Sequence, residues 1–156
     1  MNDGFRVRHA VRVLLLDEQD RLLLFRSARR GWWQPPGGGI EEGEDVRVAA
    51  TRELAEETGL WGLELGAEVW HRSTIYSWHG IEIDQRERWL MARTENFVPD
   101  TGGLSPRELT DLAEWRWWTV PELLLTHQRL VPSDLAARIC HLLEHGPPPG
   151  PIQVGQ

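Results

Sequence analysis

The fold is decided by residues 38–60, which read GGIEEGEDVRVAATRELAEETGL. Small and aliphatic residues recur at helical spacing after Asp45, and Gly59 stands where a helix commonly ends in a left-handed residue. This segment contains seven acidic residues and only two arginines. The pattern therefore predicts an acidic helix that begins near Asp45, ends at Gly59 and follows a glycine-rich approach.

Three carboxylates of this helix share one ridge. Glu53, Glu56 and Glu57 have i, i+3 and i+4 spacing, so their side chains project from neighbouring points. One interpretation is a solvated acidic stripe with an ion pair between Arg52 and Glu56. The other is a site for a hard divalent cation, since Mg²⁺ prefers oxygen ligands and completes its shell with water and phosphate oxygens. The glycine-rich approach favours the second, because it brings backbone close to the helix.

Strand and helix patterns lie on both sides of this segment. Alternation over residues 7–15 and an aliphatic run at 22–25 predict an antiparallel hairpin. The PPGGG run at 35–39 is expected to be a rigid loop. Further strands are predicted at 63–75, 87–94 and 114–118, and helices at 121–126 and 133–145. We therefore expect an α/β fold with a mixed central sheet in one domain, residues 1–145, and a mobile Pro/Gly-rich tail, residues 146–156.

Composition excludes several classes of function. The 24 acidic residues outnumber the 17 arginines, and the net charge of −7 argues against nonspecific binding to nucleic acid. The single cysteine, Cys140, excludes an internal disulfide and a thiolate metal cage. The aliphatic runs are too short to span a membrane, and the N-terminus lacks the pattern of a signal peptide. A cytoplasmic protein without membrane contact is expected, either as a monomer or as a homodimer.

Residues 38–60 resemble the signature of the Nudix hydrolases, G-x₅-E-x₇-R-E-U-x-E-E-x-G-U, in which U is aliphatic. All nine specified positions match, namely Gly38, Glu44, Arg52, Glu53, Leu54, Glu56, Glu57, Gly59 and Leu60. The resemblance implies a Nudix-type α/β/α sandwich. It also implies hydrolysis of a nucleoside diphosphate linked to another group, with Mg²⁺ or Mn²⁺ as the cofactor.

The same resemblance assigns roles within the box. Glu53 and Glu57 would be the principal metal ligands, and Glu56 a third ligand or the general base. A backbone carbonyl of Gly37 or Gly38 would also coordinate the metal. Arg52 would orient the carboxylates, and Glu44 would support that arrangement or hold a metal-bound water.

Residues outside the box complete the predicted site. In this family the general base can lie in a later loop, where Glu108 is the first candidate, ahead of Asp111 and Glu114. Aromatic rings near the glycine-rich approach and in the later strands are candidates for stacking on a nucleobase: Trp32, Trp33, Trp70, Tyr76 and Trp78. Arg26, Arg29 and Arg30 are candidates for phosphate contacts, and a solvated basic run is the alternative interpretation.

The sequence leaves the substrate open. We expect a small-molecule nucleotide, foremost a nucleoside triphosphate, including oxidised guanine nucleotides. Tyr76 lies where dinucleoside polyphosphate hydrolases carry a tyrosine, and an ADP-ribose or nucleotide-sugar pyrophosphatase is a further alternative. A noncatalytic nucleotide-sensing domain is the rival of another class, although every carboxylate of the box is present. An RNA-end hydrolase should have a basic channel, so the acidic total argues against polymeric nucleic acid as a partner.

Overall fold

The computed structural model describes residues 5–112 and 114–155. In chain order the elements are β1 Phe5–Leu16, β2 Leu22–Ser27, β3 Trp32–Gln34, β4 Gly37–Gly39, α1 Val46–Thr58, β5 Leu65–Trp78, β6 Ile81–Arg93, α2 Pro106–Asp111, β7 Glu114–Trp118, α3 Val120–Leu125, β8 Arg129–Leu130, α4 Leu135–His145 and β9 Ile152–Val154.

The strands form one mixed sheet of order β8-β3-β2-β1-β6-β5-β9, in which β4 also pairs with β1 and β7 with β2. β1 lies parallel to β6 and antiparallel to β2, as the predicted hairpin requires. Both faces of β1 are covered from Ala10 to Leu16, whereas residues 5–9 are exposed. Val11, Val13 and Leu15 pack in the cluster around α1, whereas Leu14 and Leu16 pack in the cluster that includes α4. The predicted mixed sheet between helices is confirmed.

The main helix has the predicted ends. The Asp45 side chain accepts a hydrogen bond from the backbone N–H of Arg47, which satisfies a free donor of the first turn. Gly59 has φ of 76° and its N–H donates to the carbonyl of Ala55. Because Leu54 and its alanine neighbours are buried against the sheet, the adjoining residues Glu53 and Glu57 on the same side of α1 are held in one orientation.

Two predictions about irregular segments are wrong. Residues 37–39 form a strand rather than a loop, because Gly37 lies so close to β1 that a Cβ there would meet the carbonyl oxygen of Val11 at 2.0 Å. Residues 152–154 are not a mobile tail, since they pair in parallel with β5 and Val154 is buried. Alternating apolar side chains in this short run cover the edge of the sheet.

Among the residues that the structure describes, no helix is long and apolar enough to cross a membrane. The cytoplasmic location and the oligomeric state stay predictions.

Candidate active site

Helix α1 brings two carboxylates against the glycine strand β4. Glu53 and Glu57 are only 6% and 2% exposed, although both are acidic. One carboxylate oxygen of Glu57 accepts the backbone N–H of Gly37 at 2.9 Å. Glu53 lies beside Gly38 so closely that a Cβ on Gly38 would stand 2.6 Å from its Oε1. Two of the three carboxylates predicted from the sequence, Glu53 and Glu57, therefore face the protein interior, whereas Glu56 stays half-exposed.

The two carboxylates oppose each other's ionisation. Burial raises the pKa of Glu57 well above its usual range, and the negative charge of Glu53 raises it further. Burial also raises the pKa of Glu53, against the lowering effect of the Arg52 charge. Two adjacent buried carboxylates with raised pKa values need added positive charge to ionise together, which a divalent cation provides.

Arg52 organises the acidic residues around it. Its Nε and Nη2 donate to the two carboxylate oxygens of Glu44, each at 2.9 Å, and its Nη1 donates to Glu53 at 3.0 Å. The carbonyl of Gly39 accepts a further bond from Nη2. The hydrogen bonds from Arg52 lower the pKa of Glu44 to about 2. This geometry matches the orienting role that the resemblance assigns to Arg52.

The donor set fits a magnesium or manganese ion with few protein ligands. Glu53, Glu57 and the adjoining glycine backbone offer oxygen atoms only, and Glu56 is half-exposed with one oxygen 3.5 Å from Arg52 Nη1. Within residues 5–112 and 114–155, no three Asp, Glu, His or Cys side chains already converge as a metal site. A cation at Glu53 and Glu57 would therefore complete its shell with water, carbonyl and phosphate oxygens, as Mg²⁺ commonly does.

The predicted general base lies on a helix and not in a loop. Ser105 and Glu108 form a capping box at the start of α2, in which Glu108 Oε1 accepts the N–H of Ser105. The charge of Glu108 contributes to the raised pKa of Glu57, so it lies near the carboxylate pair. The two reserve candidates are engaged elsewhere. Asp111 accepts hydrogen bonds from Ser27 and Arg29, and Glu114 lies 3.7 Å from Arg26.

A cavity of about 790 Å³ opens on the face of the sheet opposite α1, a size suited to a nucleotide. Six arginines line it: Arg6, Arg8, Arg12, Arg29, Arg30 and Arg72. Trp32, Tyr76 and Trp78 also line it, and the guanidinium of Arg30 lies 5.3 Å from the ring centres of both Trp32 and Tyr76. Three carboxylates, Glu42, Glu87 and Asp111, line it as well, so arginines outnumber acidic residues two to one and an acidic chain has a basic cavity, which its total charge did not predict.

Three predicted ligand contacts need correction. Trp33 and Trp70 are 2% and 1% exposed and belong to the hydrophobic core. Trp33 donates through Nε1 to Gln128 and packs its ring edge-on against Trp118, so neither face is open to a nucleobase. Arg26 lies beside Glu114, outside the cavity. The physical reason is the strand period, since successive residues point to opposite faces and Trp32 and Trp33 cannot both face a ligand.

Sequence reasoning missed the charged residues on the cavity floor. Arg8 and Arg12 alternate with Val11 and Val13, a period that by itself predicts only one core-facing side of the strand. Both arginines line the cavity together with Gln85 and Glu87 of β6, although Arg12 is half-buried and Arg8 is exposed. A usable signal was present, because a charged residue inside the aliphatic run of residues 10–16, which is otherwise buried, indicates an internal polar site.

Comparisons with known proteins agree with this geometry. The NUDIX domain profile matches residues 6–138. An RNA pyrophosphohydrolase of Novosphingobium aromaticivorans is 32% identical over 151 residues, covering 84% of this chain and 92% of that protein. Nudix hydrolase 25 of Arabidopsis thaliana is 36% identical over 130 residues, covering 70% of this chain and 71% of the plant protein. A MutT protein structure from Methanosarcina mazei superimposes with a TM-score of 0.66 at 16% identity, covering 92% of this chain and 99% of that chain. The chain that places Glu53 and Glu57 against β4 therefore belongs to the Nudix hydrolase family.

Proposed function

We propose that this protein hydrolyses a diphosphate linkage in a nucleoside triphosphate or a related nucleotide, with Mg²⁺ or Mn²⁺ held at Glu53 and Glu57. The observation that supports it most is the pairing of two buried, mutually repelling carboxylates with an arginine-lined cavity across β4. A cation on the acidic side and arginines on the other offer positive charge to both sides of a polyphosphate. That arrangement suits pyrophosphate hydrolysis.

The chain's own residues supply positioning and proton transfer. Arg52 holds the Glu53 carboxylate in place, and Trp32, Tyr76 and Trp78 offer ring faces to a nucleobase. Glu56 or Glu108 accepts the proton of the attacking water, because both carboxylates keep solvent access beside the buried pair. The bound cation would neutralise phosphate oxygens and lower the pKa of that water.

The 5′-triphosphate end of an RNA is a second candidate substrate. Four arginines at or beside the cavity mouth lie over aromatic rings: Arg29 and Arg107 over Trp78, and Arg30 and Arg129 over Trp32. Within the described part of the chain, none of these four arginines forms an ion pair with a carboxylate. Such a rim suits phosphates and bases of a single strand. The acidic total charge therefore does not exclude RNA as a substrate, and the similarity to relatives named RNA pyrophosphohydrolase favours testing it.

A substrate panel tests both candidates. The protein is incubated with Mg²⁺ or Mn²⁺ and nucleoside triphosphates, 8-oxo-dGTP, diadenosine polyphosphates, ADP-ribose, nucleotide sugars and a short 5′-triphosphorylated RNA, and the products are identified. Release of phosphate or pyrophosphate, absent in Glu57→Gln, would support the proposal and name the substrate class. Binding of a nucleotide without hydrolysis by either cation would refute it and support the nucleotide-sensing alternative.

A further inference from the structure

The cavity floor contains a buried carboxylate with arginines on two sides. Glu87 is 4% exposed, and its Oε1 accepts Arg72 Nη1 at 2.8 Å and Trp89 Nε1 at 3.2 Å. Its Oε2 accepts the side-chain amide of Gln85 at 2.7 Å. Burial raises the pKa of Glu87, but the charges of Arg12 and Arg72 and these hydrogen bonds outweigh it and hold the pKa below its usual range. Glu87 is therefore a fixed negative charge.

Arg72 is fixed in turn by the C-terminal strand. Its backbone pairs with Val154, and its Nε donates to the carbonyl of Gly155 at 3.2 Å. The guanidinium thus bridges β9 and Glu87, and its side chain is only 8% exposed. Neither partner can turn without breaking a buried charged hydrogen bond, which is costly. The pair therefore forms a rigid base for whatever lies above it.

Arg12 lies beside this base, and within the described part of the chain most of its guanidinium donors have no partner. Its Nε is 3.9 Å from Glu87 Oε2, too far for a hydrogen bond, and its Nη1 donates to the carbonyl of Pro35 at 3.3 Å. Among the described residues, the Arg12 guanidinium makes no other hydrogen bond. A guanidinium has five N–H donors in a planar fork that matches phosphate oxygens. A side chain 13% exposed with free donors is ready for a ligand.

Arg12 also lies next to the proposed metal site. It pairs with Gly37 across β1 and β4, and the N–H of Gly37 is the group that binds Glu57. It lines the cavity 3.9 Å from Glu87, and its positive charge also acts to lower the pKa of Glu53 and Glu57. A phosphate bound to a cation at Glu53 and Glu57 would lie within reach of this arginine.

We propose that Arg12 binds the substrate phosphate next to the metal site, and that Glu87 and Arg72 are positioning residues that keep its guanidinium in place. This inference rests on the proposed function. A purely structural role for the three residues would predict losses of stability with no selective effect on phosphate binding.

Binding measurements distinguish these roles. The ligands are the methylene-bridged, nonhydrolysable analogue of the nucleotide that the substrate panel identifies and the corresponding nucleoside. By calorimetry with Mg²⁺, Arg12→Gln should weaken binding of the analogue by about 10- to 100-fold and change nucleoside binding by less than about twofold. Arg12→Lys should lie between, since it keeps the charge and loses the fork. Arg138→Gln, which removes a surface arginine paired with Asp134, is the matched control and should bind both like the wild type.

A double-mutant cycle tests the positioning role. Glu87→Gln should weaken analogue binding in the wild-type background and add little in the Arg12→Gln background, because both changes act through one guanidinium. Should Glu87→Gln fail to fold in a thermal melt, Arg72→Lys takes its place. Equal analogue affinity in wild type and Arg12→Gln, or fully additive effects, would overturn this inference while leaving the proposed function intact. A wild-type chain that hydrolyses no member of the panel would instead refute the proposed function.

Discussion

Gly38→Ala should inactivate the enzyme without unfolding it. The added Cβ would stand 2.6 to 2.7 Å from the three carboxylate atoms of Glu53, whereas ordinary contacts begin at 3.4 Å. The carboxylate must therefore retreat by about 0.8 Å. The atoms it meets are the far end of a flexible side chain, so the strand itself can stay in place. Gly37→Ala differs, because its Cβ would meet backbone atoms of β1 and should prevent pairing of β4.

The displaced Glu53 carboxylate should coordinate the metal ion poorly. Mg²⁺ tolerates little departure from ligand distances of about 2.1 Å. Misplacement of a catalytic group by about 1 Å commonly costs about 100-fold in rate. We therefore expect Gly38→Ala to lower kcat/KM by about 100-fold and to raise the Mg²⁺ concentration needed for half-maximal activity, with little change in melting temperature.

The matched control is Gly150→Ala, where the added Cβ meets nothing within 4 Å. Initial rates measured across a magnesium titration, together with thermal melts of both variants, make the comparison. Wild-type rates and magnesium dependence in Gly38→Ala would refute the placement of the cation beside Glu53. A large fall in melting temperature would refute the claim that only the carboxylate moves.

Three further predictions use the same site. Glu57→Gln should abolish turnover yet raise the melting temperature of the metal-free protein at neutral pH, by about 2–4 °C for each kcal/mol gained in the free energy of unfolding. The reason is that burial raises the pKa of Glu57, so the stability of the wild type falls as the pH rises through that pKa. A lower melting temperature for the variant would contradict this. Trp33→Ala should lower the free energy of unfolding by about 3–5 kcal/mol, whereas Trp32→Ala should chiefly weaken nucleotide binding. Urea unfolding measures the first effect, and calorimetric titration with a nucleotide measures the second. Glu44→Gln should weaken the dependence of the free energy of unfolding on pH below about pH 4.5. The ion pair between Arg52 and Glu44 stabilises the fold above pH 4.5, and this stabilisation is lost as the pH falls towards about 2. The same pH dependence in the variant and the wild type would count against this prediction.

Local rules predicted the parts of the fold that depend on neighbouring residues. The ends of α1 follow from Asp45 and Gly59, and the hairpin follows from alternation around a polar turn. The carboxylate ridge was predicted because i, i+3, i+4 geometry is fixed by the helix. The cavity was not, since it needs β1, β5 and β6 to pair over long sequence distances. Only that pairing shows that Arg8 and Arg12 line a cavity, because an alternating strand has the same pattern whether its second face meets water or protein.

The glycine run illustrates why composition alone misled. The conformational preference of glycine assigns residues 37–39 to a loop. Their lack of side chains, however, allows the carboxylate of Glu53 and the guanidinium of Arg8 to approach the same substrate. Successive strand residues point to opposite faces. The missing side chain of Gly38 leaves room for Glu53, and that of Gly39 leaves room for Arg8, whose Nη2 would be 3.1 Å from an added Cβ. A residue larger than glycine at either position would separate the acidic side from the basic side. The net charge of −7 does not reveal this arrangement, because it sums the acidic residues on one side of β4 and the arginines on the other.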